Sequence, residues 1–223
     1  SKLREVLAEY LNATRGLNIT KENVLITRGS QMGIWLSAQL LLKKNDIIVV
    51  GMTNYSSADI TFMQREATLK RVEVDSEGIV TSQIERICKT SSIKAVYITS
   101  HHHHPTTVTL SAERRLHLLN LARKYRFAII EDDYDYDFHY KNSPVLPLAS
   151  ADKHGLVLYV GSFSKTIAPA FRVGYLIGPP TLIHELIKLR RLFDRQGDIF
   201  LENAIADLIE RGIIRRHLKK AWR

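Results

Sequence analysis

Two short apolar runs, Leu156 to Val160 and Val173 to Ile177, constrain this chain more than any other feature. Each carries the branched and aromatic residues of a buried strand. The segment between them, Gly161-Ser-Phe-Ser-Lys165-Thr-Ile-Ala-Pro-Ala-Phe-Arg172, is too short for a helical crossover. The second strand is therefore expected to run antiparallel to the first. The same segment brings a lysine and an arginine close to two strand ends. A lysine buried between core strands is costly unless it is paired, neutral or used covalently. A desolvated amine of lowered pKa is what condensation with an aldehyde requires, and the planar fork of an arginine suits a phosphate. The alternative is a surface lysine in a loop, with the arginine on the next strand by chance.

Upstream, the pattern alternates between the two periodicities. Lys2 to Arg15 has helical spacing and ends at Gly16, and Val24 to Thr27 reads as a strand. Arg28-Gly29-Ser30-Gln31 then leads into a helical run, Met32 to Leu42. Free backbone amides and a hydroxyl at such a junction make either an anion site or a plain helix cap by Ser30. Asp46 to Val50 is strand-like, and Tyr55 follows it, placed either to stack on a heteroaromatic ring or to fill the core. Helices are expected over 58–66 and 84–89, and strands over 69–74 and 95–99.

Ser100 is followed by four histidines, His101 to His104, and then Pro105-Thr106. Consecutive residues cannot all face one ion, so a metal site is not expected there. Ser111 to Tyr125 reads as a capped helix, and the strand Phe127 to Ile130 runs straight into Glu131-Asp132-Asp133-Tyr134-Asp135. Three acids at the end of a buried strand need a cation, and a protonated pyridine nitrogen is one such cation. A divalent metal or a solvated acidic turn are the alternatives. A loop with Pro144 and Pro147 precedes the segment described first. Helices follow at 182–191 and 201–209, and Ile213 to Trp222 can continue the last one after Gly212.

Strands near residues 24, 47, 70, 95, 128, 157 and 173 give a three-layer α/β/α fold around a mostly parallel seven-stranded sheet. Each candidate site residue falls just past a strand end, where open α/β sheets bind ligands. The single cysteine, Cys88, rules out a disulfide framework, and no apolar run approaches the roughly 20 residues that span a bilayer. A cytoplasmic protein without membrane contact is expected. The net charge of +9 lies largely in the last third, as a nucleic-acid-attracting face or simply a solvated helix surface.

The string Ser162-Phe-Ser-Lys165-Thr-(x)3-Ala-(x)-Arg172-Val-Gly174 resembles the cofactor-lysine motif of fold-type I pyridoxal-phosphate enzymes, the class I/II aminotransferases. Those enzymes carry Asn-Pro where His104-Pro105 stands here. The pattern Ser-His-x-x-Pro-(Ser/Thr), matched by His102, Pro105 and Thr106, and the string Glu131-Asp-Asp-Tyr-Asp135 resemble instead the aminotransferase-like domain of MocR-subfamily GntR transcription regulators. Thr107 departs from the glycine common to both. The resemblance covers essentially the whole chain and implies pyridoxal 5'-phosphate held as an internal aldimine on Lys165. It assigns the ring nitrogen to Asp132 and the ring oxygen to Tyr134, with Lys165, Asp132 and Tyr134 catalytic. The phosphate falls to Ser30, Gln31, Ser162 and Arg172, with Tyr55, His102 and His104 near the ring and no metal. It also implies a cofactor-binding large domain over 1–185 and a helical connection over 186–223 towards a C-terminal small domain. An N-terminal winged helix, also outside this chain, would contact DNA. A homodimer and an amino acid or amine effector are expected. The alternative function is an aminotransferase acting on an amino acid, and a fold kept for dimerisation alone is a third.

Overall fold

The computed structural model describes residues 1–137, 145–165, 167, 169–192, 194–195 and 197–221. Pro144, Thr166, Trp222 and Arg223, to which parts of the expectations above refer, lie outside that set.

The chain opens with α1 (Lys2–Arg15), β1 (Val24–Thr27), α2 (Gly29–Leu41), β2 (Ile47–Gly51), α3 (Ser56–Met63) and β3 (Thr68–Val72). A small hairpin of β4 (Val74–Asp75) and β5 (Gly78–Ile79) precedes α4 (Thr81–Thr90), β6 (Ile93–Ile98), α5 (Ala112–Tyr125) and β7 (Ala128–Asp133). Then come α6 (Leu148–Ala151), β8 (Val157–Ser162), β9 (Gly174–Ile177), α7 (Pro180–Arg190), α8 (Ile199–Glu210) and α9 (Ile213–Ala221). Seven strands form one sheet in the order β1-β9-β8-β7-β6-β2-β3. Its β8-β7-β6-β2-β3 stretch is parallel throughout. β9 is antiparallel to both β8 and β1, as the short connection requires.

Each strand alternates its side chains between the two faces. On one face Ile48, Val50, Tyr97, Ile130, Leu158 and Val160 pack against α2, α3 and α7. On the other, Val49, Val96, Ile98 and Ile129 pack against α4 and α5. Further along that face, Tyr159, Tyr175, Val24 and Ile26 meet α1, α8 and α9, which contribute Leu7, Leu11, Ile205, Ile214 and Leu218. The result is the three-layer α/β/α arrangement expected.

Several boundaries differ for a physical reason. α2 begins at Gly29 rather than Met32, α4 at Thr81 rather than Ile84, and α7 at Pro180 rather than Leu182. Apolar periodicity does not register the polar or small residues of a first helical turn. α7 runs across the expected boundary at residue 185. Gly212, at φ +64°, separates α8 from α9, so the two are distinct helices. β4, β5 and α6 are too short to leave a periodic signal.

Candidate functional site

β6, β7 and β8 are parallel, so their C-terminal ends emerge together, beside the start of α2. At that edge Ser30, Tyr55, Thr99, His104, Asp132, Tyr134 and Lys165 line one cavity of about 230 Å³. The sequence singled out six of these seven. Thr99 was missed, although strand alternation puts it on the same face as Tyr97; its Oγ1 accepts the His104 backbone N–H at 2.9 Å.

Asp132 is the last but one residue of β7 and is 3% exposed. Its Oδ2 accepts from the Tyr97 hydroxyl at 2.9 Å, and its Oδ1 is buried without a hydrogen-bond partner. Burial pushes this carboxyl up to about 7, with a further upward push from Asp135, against the Tyr97 hydrogen bond and the Lys165 charge, which pull it down. Such a carboxyl calls for a cation that is also a hydrogen-bond donor. The neighbouring acids do not line the cavity: Glu131 is satisfied on both oxygens, whereas Asp133 Oδ1 is likewise buried without a hydrogen-bond partner. Glu131 accepts from the Ser100 hydroxyl and from the backbone N–H groups of Leu148 and Ala149 at 2.9 and 3.0 Å. Asp133 accepts from the Tyr159 hydroxyl at 2.9 Å and lies in the field of Arg15. Of the three acids named from sequence, Asp132 is the one that lines the cavity. Among the described residues no cluster of His, Cys, Asp and Glu could hold a metal ion.

Lys165 differs from expectation in its exposure. The sequence suggested an amine buried between two strands; the structure places it in the turn after β8, beyond the sheet edge, where it is exposed at the cavity mouth. Its Nζ lies over the Tyr134 ring, 4.3 Å from the centroid. The Tyr134 hydroxyl donates to the His102 carbonyl at 3.1 Å. Tyr55 and His104 meet edge to face across the cavity, 5.5 Å between centroids.

The phosphate-type residues divide. Ser30 lines the cavity in the first turn of α2. The Arg172 guanidinium lies beside Gly29, whose ideal Cβ would sit 3.5 Å from Nη2. Gly29 is at φ +75° and Arg172 at φ +48°, so both backbones use the left-handed region to bring the guanidinium to the helix start. Arginine and helix N-terminus together make an anion cradle next to the cavity. Arg172 is exposed and lines a separate depression with Arg28, Phe171 and Arg190. Gln31 faces away: its side-chain amide donates to Thr61 Oγ1 at 2.9 Å, on the α2–α3 surface. Ser162 closes β8 and its Oγ accepts the Ser164 backbone N–H at 3.0 Å.

The histidines also divide. His104 lines the cavity, while His102 sits behind Tyr134, its Nδ1 2.9 Å from Asp135 Oδ2. His103 turns back to the Thr53 carbonyl at 3.0 Å. Thr107, in place of a glycine, is held at φ +62°, and its N–H donates to the His103 carbonyl at 2.6 Å. The left-handed backbone that glycine favours is therefore kept, at a cost of about 1–2 kcal/mol.

The donor set fits a flat heteroaromatic group with an anionic tail. An orphaned buried carboxyl oxygen waits at one end of the cavity, an anion cradle adjoins it, an aromatic ring flanks it and a free amine stands at the mouth.

The family model for aminotransferase class I and II matches residues 1–218. The chain is 34% identical over 210 residues to the HTH-type transcriptional regulator TauR of Rhodobacter capsulatus, covering 94% of this chain and 42% of that protein. It is 30% identical over 223 residues to aromatic-amino-acid aminotransferase 1 of Thermococcus litoralis, covering 98% of this chain and 54% of that one. The solved Pyrococcus horikoshii kynurenine aminotransferase, in complex with PMP, superposes with a TM-score of 0.95 at 28% identity over 99% of this chain and 56% of that one. The chain thus spans about half the length of the relatives it matches.

Proposed function

The chain belongs to the aminotransferase class I and II family, and we propose that within that family it is the pyridoxal-phosphate-binding effector domain of a MocR/GntR-type transcription regulator. The observation that carries this reading is the buried, unpartnered Oδ1 of Asp132 in a cavity that also presents the Lys165 amine. The similarity to TauR supports the regulator over the enzyme.

In this reading Asp132 keeps the proton on the pyridine nitrogen. Its raised pKa in the ligand-free protein comes chiefly from burial, which a bound cation would offset. Ser30, the amides at the start of α2 and Arg172 hold the phosphate, and Tyr55 flanks the ring. Lys165 supplies the amine for the aldehyde, and Tyr134, under that amine, fixes its approach. The bound cofactor contributes an electron sink for bonds at an amino carbon. α7, α8 and α9 pack on the same sheet as the cavity, so they belong with the cofactor-binding unit rather than apart from it after residue 185. The whole protein works as a cytoplasmic homodimer whose DNA contacts come from a separate winged helix, and an amino acid or amine is the effector.

A second reading, an aminotransferase acting on an amino acid, is favoured by the similarity to the Thermococcus enzyme. One experiment divides the two. The whole protein, loaded with cofactor, is titrated with amino acids and amines while its absorption, its retention on promoter DNA and keto acid release are followed. The regulator predicts a spectral change that alters DNA retention without keto acid accumulating. Sustained donor-dependent keto acid formation without DNA binding would overturn it.

A further inference from the structure

Asp135 has no part in the roles assigned above, and His102, expected near the ring, does not line the cavity; yet the two join the segments that build its wall. Asp135 follows β7 and His102 follows β6. Their side chains meet at 2.9 Å, with 15% and 20% of the side-chain surface exposed. A second tie lies beside the first, the Tyr134 hydroxyl on the His102 carbonyl at 3.1 Å. The His102 ring is backed edge-on by His101, 4.6 Å between centroids, and His101 in turn contacts Tyr136 at 5.1 Å. One of the two ties thus holds the hydroxyl end of Tyr134, over whose ring the Lys165 amine lies. Asp135 Oδ1 is buried without a hydrogen-bond partner.

We propose that Asp135, anchored by His102, is a positioning residue of the cofactor cavity: it fixes the Tyr134 wall and adds a negative charge beside Asp132 and the Lys165 amine. The inference rests on the cofactor reading above and deepens it.

The charges around Asp135 agree with that role. The cation-forming groups facing it are His102, from the segment after β6, and Lys165, from the turn after β8. On its own segment, Asp132, Asp133 and Tyr134 are each pushed up in part by its charge, after the larger effect of burial. A half-buried carboxylate is screened far less than a surface one, so its field reaches these neighbours.

The test compares Asp135→Asn, which keeps the shape and loses the charge, with Asp135→Glu, which keeps the charge. In the ligand-free protein the Asp132 carboxyl is followed by carbon NMR against pH. In the protein loaded with pyridoxal phosphate the pH midpoint of the visible band is followed. Removing a nearby negative charge makes any neighbouring proton easier to lose. Asp135→Asn therefore lowers the Asp132 midpoint, and the midpoint of the band, each by roughly half a unit to one unit. Asp135→Glu leaves both within a few tenths of the wild-type values. A purely structural role predicts similar disturbance in both variants, or none in either, and that result overturns the inference. If wild-type protein gives no band, the cofactor reading fails by itself, and the ligand-free titration alone decides the role of Asp135.

Discussion

Burial of the Asp132 carboxyl has a measurable consequence of definite sign. Its folded pKa is raised from the ordinary carboxylate value to about 7, chiefly by burial. A raised acid favours folding below its unfolded pKa, near 4, and that advantage is lost as pH rises through about 7. The full loss is on the order of 4 kcal/mol. Glu131 and Asp133 are pushed the same way by burial. Asp132→Asn removes this residue's share. The ligand-free variant should be more stable than wild type at pH 8 by a few kcal/mol, with the gap closing towards pH 4, in urea unfolding across that range. Parallel stability curves for the two proteins would contradict the account. The same substitution should weaken cofactor binding, because an amide cannot match a charge. A residue whose burial costs the ligand-free fold is thus one the site needs, an ordinary stability–function exchange.

At the scale of elements, the site depends on how closely α2 approaches the sheet. An ideal Cβ on Gly174 of β9 would lie 2.6 Å from the Gly29 carbonyl carbon and 2.8 Å from the Gly161 carbonyl oxygen. Both neighbours are backbone, so neither can yield by a rotamer change. Gly174→Ala should cost about 1–3 kcal/mol and push the helix start away from Arg172, weakening phosphate binding in proportion. Unfolding and phosphate-analogue titrations measure the two effects, and a variant within 0.5 kcal/mol of wild type, a margin typical of an indifferent surface site, would contradict the packing argument. α1 is fixed by a different device. Arg15 pairs with Asp137 at 2.6 Å and lies 3.8 Å over the Tyr136 ring, tying the helix to the segment after β7. Much of this level was legible in sequence. Apolar periodicity marked the strands and the long helices, and the short link between β8 and β9 foretold the antiparallel reversal. Side-chain direction was not legible. Nothing in the residue order says that Gln31 turns to Thr61, that His104 and not His102 lines the cavity, or that Lys165 reaches the surface. Those outcomes depend on turns whose backbone is set by tertiary contacts, as at Thr107 and Arg172, both held in the left-handed region. Tyr97 was missed because it acts through Asp132 and carries no motif of its own, and Asp135 stood inside the Glu131–Asp135 string without a role assigned to it.

For the whole molecule, the fold gathers residues from five separate stretches at one sheet edge. Ser30 and Tyr55 come from the first quarter, Thr99 and His104 from the end of β6, Asp132 and Tyr134 from the end of β7, and Lys165 from the turn after β8. Parallel strands end together, and that convergence makes one cavity out of residues distant in sequence. The same topology serves regulators and aminotransferases among the relatives, so fold alone does not choose between them. The cofactor claim itself can be tested directly. The protein is incubated with pyridoxal phosphate, reduced with borohydride, digested and mapped by mass spectrometry, alongside Lys165→Ala. The account predicts a visible band in the wild type, the reduced label on Lys165, and neither in the variant. An equal band in Lys165→Ala, or a label spread over the surface lysines, would contradict it.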